Sequence, residues 1–415
     1  MIKRMGIGFV AIFFIFALMR QVSAENTVKE TVGLRKTNTT EWGWPLPYDQ
    51  VSQKSIDWLK SKGWWPLVIG YFADAPGFSA SYAIIKEKQL LEKRGLSVKF
   101  MSFLSGPPIV EAFLGGQTQV THYGSFPFWL TVNNGGLVKV FALTAVNSEV
   151  AMIVSADSQI NKPEDLKNTK KIAVVGTTLG SYAEFYLTAM AKDKGLVRDK
   201  DFTVAGLSMR DAQLLPKGTD AVVLWDPHIV FAIEKSLGRK IADGYANFFS
   251  TGYDFVRKEI HENAPDVVQL LTDAAVEALL YARYDLDGAT EFYCQDPRMA
   301  AYPVAIVRDQ IAKYLTFYPP TFRYIHKDFW VAEDSSIIKT LYAQGRMKRD
   351  LSVEEMKEVM APEYMANTFH KLGWSVPEAP VFLPEKWPGK LGAPPYPEYI
   401  IPKVSTVKEM VKKKG

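Results

Sequence analysis

The sequence predicts an α/β protein built on open sheets in which neighbouring strands are mostly parallel. Between residues 67 and 143, short apolar runs alternate with helical segments in the order β-α-β-α-β-α-β. This alternation is typical of parallel strands joined by right-handed crossovers. Residues 172–175 form a continuous apolar run, as expected of a strand covered on both faces. In such sheets ligands bind beyond the carboxyl ends of the strands, so we expect the loops leaving the strands to carry the site.

The first 24 residues have the pattern of a secretory signal peptide. Lys3 and Arg4 precede an apolar stretch over residues 6–19, and residues 22–24 (VSA) fit the rule for signal cleavage. The apolar stretch is shorter than a usual membrane span. We therefore predict a cleaved signal and export of the chain, with an uncleaved anchor as the alternative.

Composition narrows the class of protein further. The 415 residues include 49 basic and 45 acidic side chains, a net charge of +4, and this balance gives no indication of a nucleic-acid partner. The single cysteine, Cys294, excludes a disulfide within the chain. A chain of this length can bury a large core and is expected to divide into two lobes.

Both ends differ in composition from the rest of the chain. Residues 25–65 form an extension rich in tryptophan, and residues 376–415 form a tail rich in proline. We expect the tryptophans to pack the extension onto a lobe, with a role in binding as the alternative. We expect an extended tail that wraps the surface or stays loose.

Four loops follow strands in the first part of the chain, at residues 73–79, 105–108, 124–127 and 144–147. The loop at residues 105–108 has prolines where a first helical turn accepts them, and an exposed helix start offers unpaired N–H groups to an anion. The candidate ligand-binding residues from these loops are Asp74, Phe78, Gly106, Pro107, Ser125, Phe126 and Thr144.

Residues 171–184 contain a strand, a tight loop and a helix start. Ser181 and Glu184 have the spacing of a capping box, which predicts a helix beginning at Tyr182. Hydroxyl groups beside that helix start could hold a small anion, although an ordinary capped turn is the alternative. The candidate ligand-binding residues from this loop, and from the exit of the strand at residues 220–224, are Thr177, Thr178, Gly180, Ser181, Trp225 and Asp226.

Asp74 is unusual for a site that binds anions, because its carboxylate would oppose a purely anionic ligand. It could pair with an amine, as in a zwitterion such as taurine, or accept hydrogen bonds from a pyrimidine. A turn cap beside Pro76 and Gly77 is the structural alternative.

Signatures of catalysis and of metal binding do not occur. The five histidines are scattered, and neither a His-x-x-x-His spacing nor a Gly-x-Ser-x-Gly elbow is present. Cys294 lies outside every candidate loop, so we expect a buried thiol there. We predict no catalytic residues, no metal site and no cofactor.

The order of these motifs resembles the type 2 periplasmic substrate-binding proteins of the sulfonate, taurine and nitrate ABC transporters, a group with relatives that bind thiamine-pyrimidine precursors. The resemblance covers residues 66–330. Its motifs are residues 162–166 (KPEDL), 171–181 (KIAVVGTTLGS), 218–222 (GTDAV) with 225–227 (WDP), and 115–119 (GGQTQ) with 124–127 (GSFP). The long extension and the tail depart from the family pattern.

The resemblance implies an α/β, two-lobed periplasmic binding protein type 2 fold with a hinge between the lobes. Lobe 1 would comprise residues 66–149 and 253–375, and lobe 2 residues 150–252. It implies a monomer in the periplasm that captures a small-molecule ligand, a sulfonate-like anion or an amine-bearing or aromatic solute, and delivers it to an ABC transporter permease in the inner membrane. The alternatives are an exported enzyme of the desulfinase kind on the same fold, and a ligand-sensing module.

Overall fold

The computed structural model describes residues 42, 44–244 and 250–381 and the backbone of residues 29 and 30, without the side chains of residues 300 and 301. The predicted signal peptide and the tail beyond residue 381 lie outside the described residues. Within the described part, no helix combines the length and the apolar character that a membrane crossing requires.

The first sheet has the strand order β1-β3-β2-β4-β11-β5. Strands β2, β3 and β4 are parallel, whereas β1 and β11 run antiparallel to their neighbours. The strands are β1 (Lys29–Glu30), β2 (Leu67–Phe72), β3 (Val98–Phe103), β4 (Val120–Gly124), β5 (Val138–Val146) and β11 (Thr251–Arg257).

The second sheet has the strand order β10-β6-β9-β7-β8. Strands β7, β8 and β9 are parallel, and β6 and β10 close one edge in antiparallel register. The strands are β6 (Val150–Ser155), β7 (Ala173–Thr177), β8 (Phe202–Gly206), β9 (Ala221–Trp225) and β10 (Gly238–Asp243). Two sheets flanked by helices confirm the predicted α/β class.

Helices connect and cover both sheets. Those before β11 are α1 (Gln53–Ser61), α2 (Pro76–Glu87), α3 (Gly106–Leu114), α4 (Ser125–Asn133), α5 (Tyr182–Asp193), α6 (Met209–Ala212) and α7 (His228–Glu234). Those after it are α8 (Lys258–Asn263), α9 (Pro265–Tyr284), α10 (Leu286–Cys294), α11 (Val304–Ile311), α12 (Lys327–Ala343), α13 (Val353–Glu358) and α14 (Glu363–Lys371). A short π-helix follows α11 at Ala312–Thr316.

The chain passes between the two sheets twice. Strands β2 to β5 belong to the first sheet, β6 to β10 to the second, and β11 returns to the first. We keep the predicted boundaries as a proposal. Lobe 1 below means residues 66–149 and 253–375, and lobe 2 means residues 150–252.

Strands β10 and β11 were not predicted from the sequence. β11 contains Gly252, Asp254 and Arg257, which obscure the apolar pattern of a strand. It forms only because β4 and β5 accept it between them from more than 100 residues away along the chain. The sequence predicts helices that start at about Ala80 and at Ile109, but α2 begins at Pro76 and α3 at Gly106. Proline is accepted in the first turn because it lacks an N–H that would otherwise be unpaired.

The described part of the extension packs onto lobe 1 through a buried charge. Glu277 of α9 accepts hydrogen bonds from Tyr48 Oη at 2.9 Å and from Trp42 Nε1 at 3.4 Å. The same carboxylate pairs with Arg94 Nη2 at 2.7 Å, and both side chains are almost fully buried. Tryptophan and tyrosine therefore anchor residues 42–51 to the lobe, as expected for a structural role.

Candidate functional site

The loops at the carboxyl ends of strands from both sheets meet in a cleft between the lobes. The cleft contains a cavity of about 340 Å³. Asp74 and Ser105 of lobe 1 line it from one side, and Thr178, Ser208 and Arg210 of lobe 2 line it from the other. Of the predicted residues, Asp74 and Thr178 thus share one cavity although they are a hundred residues apart.

Asp74 and Arg210 form a salt bridge across this cleft. Arg210 Nη2 lies 2.9 Å from Asp74 Oδ1, and Arg210 Nε lies 3.2 Å from Asp74 Oδ2. The carboxylate is buried, whereas 29% of the Arg210 side chain remains exposed. Burial acts to raise the pKa of Asp74, but His228 and Arg210 outweigh it and hold that pKa below its ordinary value. Asp74 is therefore a buried, charged partner of Arg210 rather than only a turn cap.

Side chains around Arg210 fix the position of its guanidinium. Nη2 also donates to the backbone oxygen of Arg298 at 2.5 Å, and the guanidinium lies 5.8 Å from the centre of the Tyr302 ring. Tyr302 Oη is 2.9 Å from Nδ1 of His228, whose Nε2 lies 3.5 Å from Asp74 Oδ2. This arrangement holds the donors of Arg210 at the cavity wall.

His228 and Tyr302 were not among the predicted site residues. His228 directly follows the Trp-Asp-Pro element at residues 225–227, so its place in the sequence could have identified it as a residue of the cleft. Tyr302 lies in the helical half of the chain, where no pattern relates it to the cleft.

A second ionic bridge joins the lobes next to the point where the chain first passes from one sheet to the other. Lys313, in the π-helix, lies 2.8 Å from Asp226 Oδ2 of lobe 2 and 2.8 Å from Glu149 Oε2. Tyr314 Oη donates to Asp226 Oδ2 at 2.8 Å and accepts from the backbone N–H of Glu149 at 3.0 Å. Asp226, predicted as a ligand residue, therefore has one carboxylate oxygen committed to this bridge.

A third bridge lies at the start of α5 and corrects the predicted capping box. Glu184 Oε2 accepts from the N–H of Gly180 at 2.8 Å and pairs with Arg346 of lobe 1 at 2.9 Å. The Ser181 hydroxyl donates to the oxygen of Thr178 at 2.6 Å and makes no cap to the helix. The N–H of Gly180 is therefore occupied by a carboxylate of the protein itself.

The loops of the two lobes also meet through apolar contacts. Phe126 of lobe 1 packs against Phe185 of lobe 2 with ring centres 5.7 Å apart. A side chain at Gly180 would bring its Cβ 3.6 Å from Cγ of Pro107. The predicted residues Phe126, Pro107 and Gly180 therefore lie at the contact between the lobes.

Trp225 lies at the end of β9 in an aromatic cluster. Its ring is 5.2 Å from Tyr182, 6.1 Å from Phe72 of lobe 1 and 6.0 Å from His228. The side chain is 2% exposed, and the described residues supply no hydrogen-bond partner for its Nε1. The Ser125 hydroxyl likewise has no hydrogen-bond partner among the described residues. A buried donor without a partner is costly, so both groups are available to a ligand that reaches them.

Other predicted residues have their polar groups or rings engaged elsewhere. Thr144 lies within β5 rather than in a loop, and its hydroxyl donates to Asp254 at 2.7 Å. The hydroxyl of Thr177 donates to the oxygen of Val223 at 3.2 Å. The ring of Phe78 packs so closely on Gly252 that a Cβ added at Gly252 would lie only 2.4 Å from it.

The described residues contain no group of three or more His, Cys, Asp or Glu side chains that could hold a metal ion. Cys294 is at the end of α10, and it does not line the cavity between Asp74 and Arg210. Burial raises the pKa of its thiol, which makes the reactive thiolate less accessible.

Comparisons with known proteins agree with this architecture. A family model for phosphonate periplasmic substrate-binding proteins of ABC transporters matches residues 87–214. The chain is 27% identical over 218 residues to a protein of Bacillus subtilis (strain 168) named as an aliphatic sulfonates-binding protein. It is 28% identical over 197 residues to the taurine-binding periplasmic protein of Escherichia coli (strain K12). These matches cover 51% and 45% of this chain and 64% and 58% of the relatives, so less than two thirds of either relative is spanned.

Among solved structures, the periplasmic nitrate-binding protein NrtA from Synechocystis PCC 6803 superimposes with a TM-score of 0.62 at 12% identity. The match covers 76% of this chain and 92% of that protein. The fold is that of a type 2 periplasmic substrate-binding protein. The predicted resemblance to the sulfonate, taurine and nitrate group is thereby confirmed. Periplasmic substrate-binding proteins of this fold close two lobes around a ligand by a hinge.

Proposed function

We propose that this protein is the periplasmic solute-binding component of an ABC importer and that it captures a small, sulfonate-like organic anion between its lobes. The observation that carries the proposal is the cavity at the lobe interface, with the guanidinium of Arg210 held at its wall. The names of the aliphatic sulfonate- and taurine-binding relatives support the ligand class.

The anion would obtain its hydrogen bonds from a small set of donors. Arg210 offers a planar, charged fork suited to sulfonate oxygens. The unpartnered groups Trp225 Nε1 and Ser125 Oγ would gain a partner when a ligand binds. The start of α5 is a weaker candidate than expected, because Glu184 already takes the N–H of Gly180.

Closure of the lobes would supply the remaining free energy. Micromolar binding requires about 8 kcal/mol, whereas a helix dipole contributes only about 0.3–1 kcal/mol. Burial of the ligand against the apolar side chains that line the cavity, together with the contacts between the lobes, would account for the larger share. The closed form would then dock to a permease in the inner membrane.

The test is thermal unfolding of the exported chain against sulfonates, taurine, nitrate, pyrimidines and aromatic carboxylates. A ligand at about 100 times its Kd adds about 2.7 kcal/mol to the unfolding free energy, which raises Tm by several degrees. A rise that depends on concentration, with the ligand recovered unchanged, would support a binding protein. Conversion of the ligand to a product would instead support the enzyme alternative, and no shift with any compound would contradict the proposal.

Two variants test the assignment of the cleft. Trp225→Ala removes a buried indole, with an unpartnered donor, that packs beside His228 behind the cavity lining, and Thr178→Ala removes a hydroxyl at the cavity itself. Both are expected to weaken binding about tenfold or more while the protein stays folded. Leu137→Ala is the control, because Leu137 is 65% exposed and does not line the cavity. Unchanged affinity in both cleft variants would contradict the assignment.

A further inference from the structure

Among the described residues that line the cavity, the charged side chains are Asp74 and Arg210, and they pair with each other. The carboxylate contributes to this wall although only 2% of its side chain is exposed, so solvent does little to stabilise its charge. Its charged partner is Arg210, and a further ionisable neighbour is His228, whose Nε2 lies 3.5 Å away. The charged lining is therefore divided between one carboxylate and one guanidinium.

This division has a consequence for what can bind. A simple anion that takes the guanidinium of Arg210 displaces Asp74 and leaves a buried carboxylate facing a second negative charge. Both the desolvation of the carboxylate and the repulsion between like charges oppose that outcome. A cation that pairs with Asp74 leaves Arg210 without its partner in the same way.

A ligand that carries both charges avoids this cost. Its anionic group can replace the carboxylate on Arg210, and its ammonium group can replace the guanidinium on Asp74. Resting on the proposed function, we infer that the Asp74–Arg210 pair selects zwitterionic ligands, small amino-sulfonates, amino-phosphonates or amino acids that insert between the two side chains. Arg298 and Tyr302 hold the guanidinium in place while its partner is exchanged.

The wild-type protein provides the first test, by isothermal titration calorimetry with matched pairs of probes. The pairs are taurine with ethanesulfonate, 2-aminoethylphosphonate with ethylphosphonate, and β-alanine with propionate, each differing only in the ammonium group. We expect at least one zwitterion to bind about tenfold or more tightly than its partner lacking the amine. Equal or tighter binding of the simple anions would overturn the inference and leave the proposed function intact. Failure of every zwitterion and every simple anion to bind would overturn both.

Variants separate ligand selection from a purely structural bridge. Asp74→Asn removes the ammonium partner and is expected to bring the ratio within each pair to about one, with simple anions bound as well as before or better. Arg210→Gln is expected to weaken both members of a pair. Glu184→Gln is the matched control, since it removes another bridge between the lobes that lies outside the cavity lining.

If Asp74 only holds the lobes together, Asp74→Asn and Glu184→Gln should each change the affinity for both members of a pair by the same factor. That result would contradict the inference. Circular dichroism and the Tm of each variant establish that the protein is folded, and the wild-type ratios stay decisive should Asp74→Asn fail to fold.

Discussion

At the residue scale, the clearest departure from a simple apolar core is the buried pair of Glu277 and Arg94. Their side chains are 0% and 2% exposed, and Tyr48 and Trp42 complete the hydrogen bonds of the carboxylate. Such a pair adds little to stability compared with apolar residues of equal volume, but the removal of one partner is costly. Here it also ties the extension before the first long strand to α9.

Glu277→Ala is expected to lower the free energy of unfolding by about 3–5 kcal/mol, because Arg94 is left buried without its charged partner. The measurement is urea denaturation followed by tryptophan fluorescence. Glu259→Ala is the control, since Glu259 pairs with Lys62 at the surface with both side chains about 40% exposed. An exposed pair contributes about 0–1 kcal/mol. Similar losses in the two variants would contradict the assigned role.

At the scale of elements, one carboxyl group joins three parts of lobe 1. Asp334 of α12 accepts from Trp129 Nε1 of α4 at 2.6 Å and from Tyr253 Oη of β11 at 2.5 Å. Both donors use the same oxygen, and the described residues give the other oxygen no partner. Burial raises the pKa of Asp334 to about 7, although the two hydrogen bonds act to lower it.

This pKa predicts how stability depends on pH. An aspartate in the unfolded chain has a pKa of about 3.9, so between that value and about pH 7 the folded state holds a proton that the unfolded state has lost. The contribution of Asp334 to stability is therefore fully present below about pH 4 and is lost as the pH rises towards 7.

Asp334→Asn keeps an acceptor for Trp129 and Tyr253 but cannot ionise. We expect the difference in unfolding free energy between the variant and the wild type to shift in favour of the variant as the pH rises from 4 to 8, at about 1.4 kcal/mol for each pKa unit between the two states. Chemical denaturation at each pH measures it. A difference that does not change with pH would refute the prediction.

At the scale of the whole molecule, ionic bridges between described side chains hold the lobes together around the cleft. Among them are Asp74 with Arg210, Asp226 with Lys313, Glu184 with Arg346, and Glu149 with Lys240. Lys313 also contacts Glu149 at the crossover, next to the first passage between the sheets. These contacts bias the two-lobed fold towards a closed arrangement, and a ligand must compete with or exploit them.

Lys313→Ala is expected to favour the open arrangement, because Asp226 then loses its cationic partner from lobe 1 while Glu149 keeps only Lys240. Small-angle X-ray scattering should show a larger radius of gyration without ligand, and unfolding should become easier by roughly 1–3 kcal/mol. Lys258→Ala is the control, since its exposed partner Glu358 belongs to the same lobe. A radius of gyration equal to that of the wild type would show that the bridge does not set the arrangement of the lobes.

Much of the fold could be predicted because its signals are local. The apolar run before Gly176, and the glycines and prolines that end strands and start helices, identify elements from neighbours in the chain. Strands β10 and β11, which were not predicted, show where local sequence patterns fail to identify an element. β11 depends on pairing with β4 and β5, and a strand interrupted by Gly252 and Asp254 carries no pattern of its own.

The candidate site divides in the same way. Asp74 and Thr178 were predicted because each follows a strand, whereas for Arg210 the sequence left open both a role in neutralising the ligand's charge and a surface position. Glu184 was predicted as half of a capping box. Instead, the carboxylate of Glu184 pairs with Arg346 from the other lobe and accepts the N–H of Gly180. Contacts of this kind depend on which loops the fold brings together.

The α/β class, the strand-to-helix loops and the resemblance to periplasmic binding proteins could all be predicted from the amino-acid sequence, because they depend on periodicity and on short motifs. Only the tertiary structure decided that the carboxylate of Asp74 has a guanidinium opposite it, that Lys313 bridges the crossover, and that Thr144 is committed to Asp254. The physical reason is that charge pairing and burial depend on distance in space, and residues that are 136 positions apart in the chain become partners only when the lobes meet.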